Sequence, residues 1–113
     1  AQEVVKAIPA MEVAASKSED GELFARLGNV YLDGDRFEEA IEALEKGLKR
    51  GGLRRPDNAR LSLGMAYFNT KQYDKARKAF RDAGKDERSE TYARQWIKYL
   101  DSELERQAKL AED

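Results

Sequence analysis

Apolar residues recur along this chain at spacings of three and four rather than two, which is the period of helix and not of strand. The pattern also repeats on a larger scale. Phe24, Leu27, Gly28, Tyr31, Phe37, Ala40, Leu44 and Gly47 reappear 36 residues later as Arg60, Leu63, Gly64, Tyr67, Tyr73, Ala76, Phe80 and Ala83, and seven of the eight positions keep their size class. A unit of this length, containing two helical stretches and one turn, predicts an all-α stack of helical hairpins in which each hairpin buries its apolar face mainly against its neighbours.

Turn chemistry divides the pattern into helices of about 3–17, 22–33, 36–50, 58–70, 73–83 and 89–110. Asp33-Gly34-Asp35 offers a glycine for a left-handed C-terminal position, then Asp35 as N-cap with Glu38 three residues on. Gly51 to Pro56 forms the longer connector between the two units, with Asp57 or Asn58 as the next cap. A 33-residue shift extends the register outwards in both directions. Val4, Ala7, Ile8, Met11 and Ala14 fall on Phe37, Ala40, Ile41, Leu44 and Gly47, so the chain opens on the second helix of a unit. Pro9 lacks an amide hydrogen and suits only a first turn, so ordered helix is expected from around Val4. Ala93, Trp96, Ile97 and Leu100 fall on Arg60, Leu63, Gly64 and Tyr67, and the charged run beyond them suits a capping helix.

Glycine inside a helix costs about 1 kcal/mol relative to alanine. Its recurrence at Gly28 and Gly64 therefore implies a close helix approach, with Ala40 and Ala76 as the matching small surface.

Composition narrows the chemistry. The 113 residues contain no cysteine and no histidine, which excludes disulfides, thiol and imidazole catalysis and the usual zinc ligand sets. No paired constellation of carboxylates, lysine or tyrosine argues for an enzyme; Asp33 and Asp35 lack the rest of a calcium loop, and no cofactor or metal is expected. With 21 basic and 22 acidic residues there is no net sign to draw the chain to nucleic acid, and no apolar run approaches the length of a membrane span. The lack of cysteine fits either a reducing or an oxidising compartment, so it gives no location.

The residues Phe24-x-x-Leu27-Gly28-x-x-Tyr31, followed by Ala40 and Leu44, resemble the tetratricopeptide repeat. The second unit keeps Leu63-Gly64-x-x-Tyr67 and Ala76-x-x-x-Phe80, but departs at Arg60, where the family has an aromatic residue, and at Pro56, which follows a two-residue extension. The resemblance implies one domain over 1–113: a half-repeat helix at 1–18, repeats at 21–54 and 57–88, and a capping helix at 89–113. It further implies the C-terminal segment of a longer, bacterial repeat protein.

In that family the first helices line a concave groove. Its ligand-facing positions fall here on Glu22, Ala25, Asn29, Leu32 and Asp33, then on Asn58, Leu61, Met65, Phe68 and Asn69, then on Thr91, Arg94, Lys98, Asp101 and Ser102. Leu61, Met65 and Phe68 are either an exposed apolar anchor or a thickening of the core. Arg94 and Lys98, one turn apart, suit a carboxylate or a solvated face, and Asn29 suits a peptide backbone or mere solubility. Ala25 and Ser62 stand where chaperone-binding members carry the lysine and asparagine of a terminal-carboxylate clamp, which argues against that clamp. The basic cluster Lys46, Lys49, Arg50, Arg54 and Arg55 suits an acidic partner or a mobile loop. The expected role is a noncatalytic scaffold binding a protein partner's peptide or helix in the groove. The alternative is a structural segment that stacks or self-associates through the N-terminal half-repeat.

Overall fold

The computed structural model describes residues 2–112, with side chains from Lys6 onwards, so the register placed on Val4 lies outside the described side chains. Among the described residues the chain is all helix: α1 (Gln2–Lys17), α2 (Glu22–Asp33), α3 (Phe37–Arg50), α4 (Pro56–Asn69), α5 (Tyr73–Ala83), a 3-10 turn (Glu87–Ser89) and α6 (Glu90–Glu112). α2 packs on α3 and α4 on α5 as two hairpins; α1 lies on α2, α3 on α4 and α6 on α5. Pro9 sits in the interior of α1, which starts earlier than the sequence suggests, and the proline side chain is exposed. The one amide hydrogen it lacks leaves the helix on both sides intact.

Each hairpin closes on a glycine-free left-handed position. Asp35 (φ 59) and Lys71 (φ 63) occupy it, whereas Gly34 takes φ −93. The amides of Arg36 and Gln72 return to the carbonyls of Tyr31 and Tyr67, both at 2.9 Å, and those of Asp35 and Lys71 reach Leu32 and Phe68 at 3.0 and 3.1 Å. This double bond pattern places the left-handed residue one step later than Gly34, so Asp35 ends a helix instead of capping the next. Arg36 becomes the N-cap residue of α3 and makes no side-chain cap bond. The cap expected at Asp57 or Asn58 moves likewise: Arg55 precedes α4, Pro56 opens it, and Asp57 is buried in its first turn.

The hairpins lock where a side chain fills the space over a glycine. A Cβ on Gly28 would lie 2.5 Å from Cγ of Leu44, and one on Gly64 would lie 2.5 Å from Cε1 of Phe80. Leu44 and Phe80 are fully buried, so the close approach is glycine against a large side chain and not, as the sequence suggests, glycine against Ala40 and Ala76. Those alanines, also fully buried, pack elsewhere in the same core.

Gly64→Ala should therefore lower unfolding stability by about 1–3 kcal/mol, since Phe80 has no room to retreat. Gly34→Ala has no neighbour nearer than 3.7 Å and an ordinary φ, and should raise stability by about 0.4–1 kcal/mol. Urea denaturation followed by far-UV circular dichroism compares the two; equal shifts, or a Gly64→Ala protein as stable as the parent, would refute the packing assignment.

Candidate functional site

The first helices of the hairpins lie on the inside of the stack. α2 touches α4 directly, whereas α3 and α5 flank an open cleft of about 340 Å³ over Leu48, Leu63, Tyr67 and Ala79. On the inner side, Asn29 is exposed and Leu32 is half-buried against the core at the α2 end. On α4, Leu61 is buried, as is its repeat equivalent Ala25. Both are part of the core between neighbouring helices, so Leu61 belongs to the packing and is not an exposed anchor. Met65 and Phe68 remain half-buried and partly open, and Asn69 Nδ2 donates to the Met65 carbonyl at 2.8 Å.

Phe68 is the edge of an aromatic cluster that continues onto α6. Its ring lies 5.4 Å from Tyr99, 5.7 Å from Tyr73 and 6.3 Å from Trp96. Trp96 in turn stacks on Phe80 at 5.3 Å with an interplanar angle of 10°. These contacts fix how α6 is rolled. Leu100 points inward and is fully buried, Tyr99 turns towards α4, and Tyr92, two turns before it, shares that face. Tyr92 and Tyr99 are 62% and 54% exposed. Their i, i+7 spacing is present in the sequence, whereas the repeat register places Thr91, Arg94 and Lys98 on the inner face instead.

The same roll separates Arg94 and Lys98 from the apolar residues of α4. Arg94 pairs with Glu90 at 2.6 Å and lines a depression with Phe80, Arg81, Gly84 and Lys85, on the α5 side. Asp101 pairs with Arg77 of α5 at 2.6 Å, which places that edge of α6 outside the inner face. Lys98 is exposed, with no ion pair among the described residues. The structure thus brings Phe68 against Tyr99, with Met65 beside Phe68 on α4 and Tyr92 two turns before Tyr99 on the same face of α6, and leaves Arg94 and Lys98 on other faces of that helix. A 33-residue shift aligns α6 with α4 in sequence, whereas the Trp96 stack decides its rotation.

Most of the basic connector is engaged within the fold. Arg50 donates to the carbonyls of Ala15 and Ser18, both at 2.8 Å, and covers the Phe24 ring at 4.9 Å. The Arg54 amide donates to Glu22 at 3.0 Å. Arg55 clasps Asp57 through Nε at 2.9 Å and a terminal nitrogen at 2.6 Å.

Asp57 joins the two sides of the site. Its side chain is 1% exposed; besides Arg55 it accepts the Ser89 hydroxyl at 2.6 Å, and Arg88 stands 3.6 Å away. The first turn of α4 is thereby tied to the entry of α6. The hydrogen bonds from Arg55 hold this carboxyl well below the usual carboxylate range; burial opposes them and the Ser89 bond adds to them. A depressed folded-state pKa gives stability that is present above the unfolded value, about pH 4, and is lost as pH falls below it. Asp57→Asn should cost about 2 kcal/mol near neutrality and flatten the acid limb of the stability profile. Denaturant titrations of both proteins between pH 7 and pH 2 check this, and parallel profiles would refute it.

The family model for the tetratricopeptide repeat matches residues 25–90, more than half of the chain. No curated protein matches it. No described helix is long and apolar enough to cross a membrane.

Proposed function

Because the chain belongs to the tetratricopeptide repeat family, we propose that it is a noncatalytic scaffold that holds a peptide or helix of a protein partner along the inner face of α2, α4 and α6. Tetratricopeptide repeats generally mediate protein–protein interaction, which sets the class of partner. The observation that carries the finer reading is the wall formed by Met65, Phe68, Tyr92 and Tyr99, where two exposed tyrosines extend a half-buried apolar strip. Large aromatic side chains give much contact area at low entropic cost and dominate interface energetics. Asn29 and Leu32 form the more polar end of the same face, and Arg94 and Lys98 reach a partner only at its outer border. The boundaries follow the register: repeats at 21–54 and 57–88, a half-repeat at 1–18 and a cap at 89–113.

A second reading, end-to-end stacking through α1, is favoured by the exposure of Ala7 and Ala14 beside half-buried Met11, where the register expects a covering first helix.

A photo-crosslinking residue placed at Tyr92 should capture a protein partner in lysate of the source organism, while the same residue at Lys85 should not. The Tyr92→Ser, Tyr99→Ser double variant should keep its helicity and weaken capture at least about tenfold. Capture from Lys85 alone, or undiminished binding by the double variant, would contradict the inner-face reading.

A further inference from the structure

Tyr92, Trp96 and Tyr99 follow one another at about one turn along the inner side of α6. The two tyrosines are exposed and stand about 10 Å apart along the helix axis. Trp96 sits between them, half-buried, with its ring 5.9 Å from Tyr99 and 6.3 Å from Phe68. Its indole N–H donates to no group among the described residues, and it is not sealed from solvent. One donor is thus left open amid aromatic rings. Gln95 beside it is exposed, and the stretch from Tyr92 to Tyr99 carries no charge on this face. The bordering cations are paired or turned away: Arg88 holds Asp86 at 2.7 Å, Arg106 pairs with Glu103, and Lys98 lies on another face of the helix.

This combination selects among the conformations a bound segment can take. A helix laid over the stripe keeps its carbonyls bonded within itself, so it would cover the indole N–H without replacing the water it loses. A polyproline II segment bonds none of its carbonyls internally, and its pyrrolidine rings supply apolar surface that is already ordered. It turns once every three residues, a rise of about 9 Å, which brings every third side chain into reach of rings about 10 Å apart. Charge complementarity points the same way, since an uncharged segment suits an uncharged stripe. The inference rests on the inner face being the binding surface, and we propose that its occupant is a proline-rich segment of a partner protein in the polyproline II conformation. Two prolines three residues apart rest on Tyr92 and Tyr99, beside the wall of Phe68 and Met65, and a carbonyl between them accepts from the Trp96 indole N–H.

The chain has a single tryptophan, so its indole N–H gives one NMR resonance, and titration of the whole chain with a synthetic nonaproline peptide tests the assignment directly. The indole proton should move downfield and saturate as it gains an acceptor. An uncharged, side-chain-stapled helical peptide of the same length should leave it in place. Tyr92→Ser, with unchanged circular dichroism, should weaken nonaproline binding at least about tenfold, whereas Val13→Ser on the exposed face of α1 should not. An indole resonance that nonaproline fails to move overturns the proposal. So does a stapled helix that moves it as far, and so does a Tyr92→Ser protein that binds nonaproline as tightly as the parent. Any of these results with partner capture at Tyr92 intact would remove the proline-rich occupant and leave the inner-face reading standing; loss of capture as well would end both.

Discussion

The close approach of α4 and α5 at Gly64 sets the rest of the arrangement. The Phe80 ring occupies the space a side chain at Gly64 would take, and so presents a fixed flat face towards α6. Trp96 stacks on that face, and its position settles the roll of a 23-residue helix. From that roll follow the inward position of Leu100, the turn of Tyr99 towards Phe68, and the outward placement of Arg94 and Asp101. Interiors pack at crystal-like density, so a displacement at the base of this series is passed on and not absorbed. In the preceding unit, Leu44 fills the space over Gly28 without offering a flat ring, and the helix that follows stacks without an aromatic ladder.

The two units form one joint with different chemistry. In the first, Phe24 is covered by Arg50 at 4.9 Å and Lys46 at 5.8 Å, a cation–aromatic stack. In the second, the same three repeat positions hold Arg60, Asp86 and Asp82, which line one polar depression. The exchange explains why Arg60 can replace the aromatic residue: the cations that covered the ring have become carboxylates around a guanidinium. A comparable exchange links the starts of the units. Gly21 and Gly47 meet backbone to backbone, while their equivalents Asp57 and Ala83 leave room for a buried carboxylate that fastens α4 to the entry of α6.

The fold was legible because helix period, repeat length and the two internal glycines all reported the same architecture. Gly28 and Gly64 announced a close approach without naming what approached, since residues 16 apart in sequence meet only once the turn is built. That turn also hid its left-handed residue: Lys71 has no propensity for the position, and only the pair of returning amides places it there. The candidate surface was legible in part. Met65 and Phe68 follow from the register, but Leu61 is drawn into the core. Tyr92 and Tyr99 emerge because rotation of α6 is decided by one stacked ring and not by sequence offset.

The chain has a single tryptophan, so the step from Phe80 to α6 can be read directly by its fluorescence. Phe80→Leu copies the residue that fills the same site in the first unit, and should preserve the hairpin while removing the surface on which Trp96 rests. The expected result is a red-shifted emission with lower anisotropy and nearly unchanged helicity. Emission and anisotropy identical to those of the parent protein would show instead that α6 is held by something other than this stack.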